Sequence, residues 1–589
     1  MNQTTIDTDR ATDSRATGSW WLIVFLIVAG FAVCTFGALR LATYSGWQDT
    51  EAYLGHSLYI AEHGGFFGFL RASFAGTFPI TERHPLYMLL LAPFASRTPA
   101  FFWTAKVIDL IFGIVVLVTF IWMVERRYGK GPAAIAGTLY ALSQSLLVAS
   151  SHVNHETPFA LCTLWTWWFL TQPERARAES AHDDMPASAA RWAMAGAWLG
   201  LAYLVKSPAS LMGVAIAVAG LCRLRLRFLL GPRLWALLLA TALVSSPLLV
   251  RNWRGYGKLV YEGVNTNILW LDRWVQLGGE HSVMYYDHYG IKTIEKNGLP
   301  TAKDYLRKHG PAAIAARLGK GFLTETLVVA RKAVSPAFPL PKPIAAAWGF
   351  AALAFAAAGW WMRRRSWEAT FAFFWSAAFL IFFGWNKLFP EFRYLAPLVP
   401  VWLAYAGYAI WRLKRRFLTE ETAWRVEVVK VSAVMLIAVG YTTASGALTK
   451  PVPVIAASPA YQHLIAWMNR TIEPGDRILV GPSEEFYGLI WTVERPVSVI
   501  QAPDVRTLDA FLRYLRERKV RYVVLHPQNA YGWGGQLAQA LTPYVAVTPQ
   551  GQIVEKKPLP GWRQVFADPG TPQHFLIYES EAVRPMEKR

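Results

Sequence analysis

An α-helical multipass membrane protein with a C-terminal soluble α/β domain is the fold class that this 589-residue sequence predicts. Three observations predict it. Hydrophobic residues make up 54% of the chain and charged residues only 17%, and the mean hydropathy is +0.24, unusual for a soluble protein of this size. The apolar residues gather in runs of about 20, the length at which a helix crosses a ~30 Å hydrocarbon core. The basic excess, 59 Lys and Arg against 39 Asp and Glu, sits mostly in short clusters beside those runs, as in membrane proteins and unlike a nucleic-acid groove.

By that length about eleven candidate spans follow one another, at residues 20–39, 102–123, 132–151, 157–171, 192–205, 208–222, 234–250, 344–361, 369–384, 395–411 and 431–447. Basic clusters fall at Arg126, Arg127 and Lys130, at Arg223, Arg225 and Arg227, at Arg363 to Arg365, and at Arg412, Lys414, Arg415 and Arg416. Taken as the cytoplasmic side, they put a tail of residues 1–19 inside and the C-terminus outside. The first span has an apolar run too long for a signal peptide and no clear cleavage pattern, so it is expected to stay as a helix. Residues 20–447 then form the transmembrane domain, with long exterior loops at 40–101 and 251–343. The cytoplasmic connections are mostly short and basic, so chemistry is expected on the exterior face. No internal repeat or broken-helix signature is evident.

Beyond Thr449 the composition turns soluble, and residues 448–589 are expected to be an extracytoplasmic α/β domain. Tyr461 to Asn469 reads as a helix, Arg477 to Val480 as a strand, Val497 to Ile500 as a strand, Thr507 to Lys519 as a helix and Tyr522 to Leu525 as a strand. That alternation predicts a small parallel sheet, with further strands at Arg563 to Ala567 and Phe575 to Tyr578. The turn after Val480 is Gly-Pro-Ser-Glu-Glu and lacks the glycine spacing that brings a pyrophosphate to a helix N-terminus, so no nucleotide site is expected there. The cysteines Cys34, Cys162 and Cys222 all lie in apolar runs, which leaves no disulfide framework or CxxC metal site.

The most informative stretch is Trp47-Gln-Asp49-Thr-Glu51-Ala-Tyr53, just after the first span. Two carboxylates this close to a membrane surface face desolvation and mutual repulsion unless they meet a cation, a metal or a proton-donating substrate. Such a carboxylate can accept a proton from an acceptor hydroxyl or amine while a phosphate-linked leaving group departs. The alternative is structural: Asp49 caps a helix starting near Thr50, and Glu51 is its first-turn acid.

Some thirty residues on comes Glu82-Arg83-His84-Pro85-Leu86-Tyr87, and the D-x-E-A-Y to R-x-P-L-Y layout resembles the first exterior loop of GT-C glycosyltransferases. It is similar in particular to the polyprenyl-phosphate-sugar-dependent branch related to protein O-mannosyltransferases and lipid A aminoarabinose transferases. The resemblance continues through His155-Glu156-Thr-Pro, Gly200 to Pro208, Pro247 to Asn252 and Arg393-Tyr394-Leu-Ala-Pro397, over roughly residues 20 to 410. It implies an integral-membrane enzyme with an exterior active site and an acid in the first exterior loop as the catalytic group. That acid maps onto Asp49, with Glu51 the next candidate and Tyr53 beside them; Thr50 separates the acids where the family more commonly has an adjacent pair.

A phosphate-linked donor needs cations against the charge that builds on the leaving oxygen. Arg83, Lys206, Arg251, Lys387 and Arg393 all fall at expected exterior ends of spans, against the positive-inside bias. Each alone is explained as a snorkelling side chain or a structural ion pair; five together favour phosphate contact by Lys206, Arg393, Arg83 and Lys387, with Arg251 pairing an exterior-loop carboxylate. His152, His155 and Glu156 form a compact group with His84 near in loop order, and a divalent metal is one reading of them, hydrogen bonding at a helix end the other. No cofactor is firmly implied. Trp270, Trp274, Tyr285 and Tyr286 suit either a sugar or lipid platform or a packed loop core.

The expected function is therefore transfer of a sugar from a polyprenyl-phosphate carrier to a lipid, glycan or protein acceptor, by a protein of the cell inner membrane with its active site outside. The partners are the lipid-linked donor, membrane lipid and an unidentified acceptor, with no nucleic acid. A lipid-linked substrate transporter or flippase is the alternative, and an assembly protein that recruits a partner through its C-terminal domain a third.

Overall fold

The computed structural model describes residues 3–41, 48–172, 188–261, 265–272, 282–296, 299–336, 341–386, 392–449, 459–480, 492–501, 505–525, 536–548, 553–567 and 575–581. In chain order the helices are α1 (Gln3–Leu41), α2 (Gln48–Glu62), α3 (Gly65–Ala75), α4 (Pro85–Leu91), α5 (Pro99–Tyr128), α6 (Lys130–Leu142), α7 (Gln144–Ser151), α8 (Glu156–Thr171), α9 (Ala189–Val205), α10 (Ala209–Leu224), α11 (Arg227–Leu230), α12 (Pro232–Tyr256), α13 (Asn265–Ile268), α14 (Ala302–Lys308), α15 (Pro311–Val328), α16 (Lys342–Met362), α17 (Trp367–Trp385), α18 (Val399–Lys414), α19 (Glu420–Ala444), α20 (Pro459–Thr471), α21 (Leu508–Glu517) and α22 (Gln536–Leu541). The chain forms two compact units, a helical unit of Met1–Ala42, Lys106–Leu249 and Pro311–Pro451, and a mixed unit of Thr43–Ala105, Val250–Gly310 and Val452–Arg589.

Among the described residues six helices are long and apolar enough to cross a bilayer: Ser19–Leu41 of α1, α5, α12, α16, α17 and α19. Large apolar side chains stay exposed on them, Leu243 of α12 and Ile437 of α19 for example, as a hydrocarbon surround requires. The other stretches expected to span are shorter helices, α8 with 16 residues, α9 with 17, α10 with 16 and α18 with 16. The helices pack closely where glycine removes a side chain. A Cβ on Gly359 of α16 would lie 2.1 Å from the carbonyl oxygen of Tyr405 on α18, and one on Gly321 of α15 would lie 1.7 Å from that of Gly384 on α17.

One expected span is interrupted. The 132–151 stretch becomes α6 and α7, broken at Ser143, whose backbone is extended. The freed groups find partners in a neighbouring segment: the Gln144 N–H donates to the Ser335 carbonyl at 2.9 Å, and Ser143 pairs with Pro336 in an isolated antiparallel bridge. Irregular backbone among apolar helices persists only when it is satisfied in this way. Neither proline nor glycine marks the break, so the sequence carries no local sign of it.

In the mixed unit the strands are β1 (Ser282–Tyr286), β2 (Lys292–Lys296), β3 (Arg477–Val480), β4 (Ser498–Gln501), β5 (Tyr522–Leu525), β6 (Val545–Val547), β7 (Ile553–Glu555), β8 (Trp562–Ala567) and β9 (Leu576–Ser580). They build a seven-stranded sheet in the order β2-β1-β4-β3-β5-β9-β8 and a separate β6-β7 hairpin. The three middle strands β4, β3 and β5 are parallel, as expected, but β1 and β9 flank them antiparallel, so the sheet is mixed. Successive residues face opposite sides. Ile478, Val499, Val524 and Ile577 pack with Tyr461, Leu464 and Met468 of α20, while Leu479, Ile500, Val523 and Leu576 pack with Phe511 and Leu515 of α21. A helix thus covers each face, which is why the strand sequences are continuously apolar.

A buried ion cluster ties three segments of the helical unit together. Arg127, at the end of α5, donates from Nε to Glu368 Oε2 at 2.6 Å and also bonds the Thr171 carbonyl at the end of α8. Tyr128 donates its hydroxyl to the same carboxylate, and Arg363 lies 3.5 Å from it. Glu368 has no exposed surface and Arg127 very little. Removing one member of a buried pair strands the other, at a cost of about 3–5 kcal/mol, whereas replacing both with apolar residues is close to neutral. Glu368→Gln is accordingly expected to lower the thermal unfolding midpoint in detergent, followed by tryptophan fluorescence, and Arg127→Met with Glu368→Leu to recover most of the loss. An unchanged midpoint in Glu368→Gln would show that the cluster contributes nothing.

Candidate active site

Within the helical unit, α8 begins beside an acid that the sequence analysis did not single out. Asp109, on α5, is fully buried and accepts from the Asn154 N–H at 3.3 Å and from the Thr157 hydroxyl at 3.2 Å. Asn154 in turn accepts the Glu156 N–H at 2.8 Å. These bonds fix the first turn of α8, where Glu156 gains from the helix dipole. Lys206 follows the last residue of α9, and its backbone N–H still bonds Ala202 at 2.8 Å, so its cation sits where that dipole favours one.

The two side chains meet. Lys206 Nζ donates to Glu156 Oε1 at 2.7 Å and lies 4.5 Å from the centre of the Tyr394 ring, which stacks on Phe383 at 4.9 Å. His155 Nε2 is 3.7 Å from the same carboxylate oxygen. Glu156 Oε2 is buried and has no hydrogen-bond partner among the described residues, which leaves it able to accept from a hydroxyl or bind a cation. Lys206, His155 and Glu156, all expected site residues, are thus brought together, and Tyr394 joins them. Among the described residues no group of three or more His, Cys, Asp and Glu side chains is placed to hold a metal ion. His152 bonds Ser151 at 3.0 Å and the Val148 carbonyl at 3.0 Å.

Within the mixed unit, α2 starts at Gln48, two residues ahead of the expected start, so Asp49 lies inside its first turn; the Asp49 side chain is outside the described residues. Glu51 and Tyr53 are both buried. The Tyr53 ring meets Tyr87 edge-on at 5.0 Å, and Arg83 stands 5.9 Å from the Tyr53 centroid while donating to the Glu82 carbonyl at 3.1 Å. His84 precedes α4 as its N-cap without a side-chain capping bond, and Pro85 opens the helix. Arg251 was expected beside an exterior-loop carboxylate; it is buried, donates to the Ile80 carbonyl and stands 5.9 Å from the Tyr256 ring. Lys387 and the Arg393 side chain lie outside the described residues, although Arg393 belongs to a short 3-10 helix, Phe392–Leu395. Trp274 is likewise outside them, Trp270 packs on Tyr305 and Tyr285 enters the sheet core, which favours the packed-core reading for those two.

A further titratable group, absent from the sequence reading, meets the first residue of the Glu82-to-Tyr87 stretch. His56, on α2, is completely buried; its Nε2 bonds the Gly290 carbonyl at 3.0 Å and lies 3.5 Å from Glu82 Oε1. Burial pushes the His56 imidazole down to about 4, against the pull of Glu82. Burial also works to raise the Glu82 carboxyl, but His56 when protonated, Lys292 and Arg83 outweigh it and hold the carboxyl below its usual range. At neutral pH His56 is uncharged, so Lys292 and Arg83 then supply that charge. Because folded His56 titrates near 4 and unfolded histidine near 6.5, its stabilising contribution is whole above pH 6.5 and is lost as pH falls toward 4. The thermal midpoint is expected to drop between pH 7 and pH 4.5, and less so in His56→Gln; parallel curves for the two proteins would refute this.

A family model described as dolichyl-phosphate-mannose-protein mannosyltransferase matches residues 84–250. No curated protein matches the sequence. Among solved structures, ArnT from Cupriavidus metallidurans bound to undecaprenyl phosphate is 15% identical, with 94% of this chain and 97% of that one covered at a TM-score of 0.51. Its apo state is also 15% identical, covers 97% and 99%, and scores 0.50. An oligosaccharyltransferase from Archaeoglobus fulgidus in complex with Zn and sulfate is 14% identical, covers 91% and 74%, and scores 0.51. The chain thus shares the fold of these structures along nearly its whole length, and its residues 84–250 resemble the mannosyltransferase family across the first helices of the candidate site.

Proposed function

We propose that this protein is a glycosyltransferase that takes a sugar from a polyprenyl-phosphate carrier and moves it to a lipid, glycan or protein acceptor on the outer face of the cytoplasmic membrane. The observation that carries the reading is Lys206. Its ammonium is held 2.7 Å from a buried carboxylate and 4.5 Å above an aromatic ring, in a chain whose fold follows, over 94% of its length, the ArnT structure bound to undecaprenyl phosphate. An ion pair placed between apolar helices, with one carboxylate oxygen left without a hydrogen-bond partner among the described residues, supports a binding role for these side chains.

The chemistry follows a single displacement. The acceptor O–H or N–H gives its proton to Asp49 or Glu51, the acceptor atom bonds to the anomeric carbon, and the bond from that carbon to the carrier phosphate oxygen breaks. The prenyl phosphate leaves with the electron pair, and the anomeric configuration inverts. Lys206, Arg393, Arg83 and Lys387 are the cations assigned to the charge on the departing phosphate. His84, His155, Glu156, Tyr53 and Arg251 support them. Glu156 has a second role in this scheme, since its free oxygen can bind a sugar hydroxyl while the other holds Lys206.

Mass spectrometry of envelope glycans and lipids in a strain lacking the protein is expected to reveal one missing sugar and so name the donor. With that donor, Asp49→Asn or Glu51→Gln is expected to slow transfer by about 10²–10⁴, and Lys206→Ala by roughly 10²–10³, in protein whose thermal midpoint is measured alongside. Full transfer by both acid variants would end the mechanism. Movement of labelled carrier across proteoliposomes with no sugar transferred would favour the transporter instead.

A further inference from the structure

A slot of about 290 Å³ lies among α15, α16, α17 and α18, within the helical unit, with Thr326, Leu353, Ala357, Phe373, Ser376 and Trp402 in its wall. Along α17 the wall runs from Ala372 to Leu380, about 12 Å at ~1.5 Å per residue, so the slot is elongated along the helix. Its lining is almost wholly hydrocarbon and aromatic. Of the five polar side-chain atoms of the lining residues, four are hydrogen-bonded: the Trp402 indole N–H donates to Ser376 Oγ at 2.9 Å, the Trp360 indole N–H to the Ala369 carbonyl at 2.8 Å and the Thr326 hydroxyl to the Phe322 carbonyl at 2.8 Å. The fifth, the Tyr405 hydroxyl, is buried and has no hydrogen-bond partner among the described residues. That hydroxyl lies within electrostatic reach of Glu368 and Arg363, which marks the end of the slot nearest the turn between α16 and α17.

The mouth is at the same end. Phe373 is 49% exposed and stacks with Trp360, another lining residue, at 5.5 Å. Past Trp360 the chain enters Arg363-Arg364-Arg365, where Arg363 is committed to Glu368 but Arg364 and Arg365 are exposed. The Arg364 guanidinium lies 4.3 Å from the Trp361 ring centre. From the interior outward the surface therefore offers hydrocarbon, an indole belt and two cations.

That sequence of chemistries is the one a phospholipid presents, and we propose that the slot holds one acyl chain of an anionic phospholipid from the adjoining leaflet. Arg364 and Arg365 hold the head phosphate. Charge complementarity selects an anionic lipid over a zwitterionic one, because no carboxylate of the Arg364–Arg365 turn is left to meet a choline: Glu368, the acid closest in sequence, is buried beneath Arg127 and Arg363. The slot uses none of the residues assigned to sugar transfer, so the lipid is a resident of the scaffold and not the donor.

Full-length protein in neutral detergent, mixed with equal amounts of dioleoylphosphatidylglycerol and dioleoylphosphatidylcholine and measured by native mass spectrometry, tests this. The expected result is one retained phosphatidylglycerol per chain, favoured about fivefold or more. Ala357→Trp, at the exposed mouth, is expected to abolish retention, and Arg364→Gln with Arg365→Gln to bring the preference close to one. Equal retention of both lipids by the unaltered protein overturns the proposal, as does an unchanged preference in the arginine variant, which alters only exposed side chains. Finding a polyprenyl phosphate in the slot, displaced by Ala357→Trp, overturns it as well.

Discussion

A charge carried into packed apolar helices must bring its partner with it, and the Glu156–Lys206 pair is where this protein meets that demand at its candidate site. Neither ion is tolerable alone in such surroundings. The pair explains why α8 and α9 end where they do: Glu156 opens one helix, Lys206 follows the last residue of the other, and each sits at the dipole end that favours its charge. Asp109 and Asn154 then hold the α8 terminus in place through backbone and hydroxyl bonds. The result is a cation held ready by a carboxylate that keeps one oxygen uncommitted.

The same rule recurs at the other ends of the helices. Arg127, Arg363 and Tyr128 converge on Glu368, and Lys414 pairs with the buried Glu427 at 2.7 Å. Basic clusters read from sequence as a uniform positive signal thus divide into two populations. Arg127 and Arg363 are internal ties, while Arg364 and Arg365 remain outside, available to headgroups. Charge counting alone does not separate them, because the partner acid lies over 200 positions from Arg127 in the chain.

Much of the fold was legible because membrane spans and buried strands are written in local composition. Tyr522–Leu525 was located to the residue, and α20 and α21 to within a few positions. What escaped depends on distant partners. Nothing in Ser282–Tyr286 announces that it will pair with Ser498–Gln501, and nothing near Ser143 announces the segment that lets the helix break there. At the candidate site, Lys206 and Glu156 were visible as polar residues at span ends. Asp109 and His56 were not, the first because one acid inside an apolar run looks incidental, the second because its burial comes from Gly290, far along the chain. An acid within a predicted span was itself the available signal for Asp109.

The mixed sheet has a consequence for how the chain is made. Its edge hairpin is synthesised early, but β4, which β1 must join, emerges about two hundred residues later, and β8 and β9 only near the very end. Long sequence separations slow assembly and leave unpaired strand edges waiting during synthesis. Closure of the sheet is therefore a late event, because β4, β5, β8 and β9 are all translated after the last of the described membrane-spanning helices.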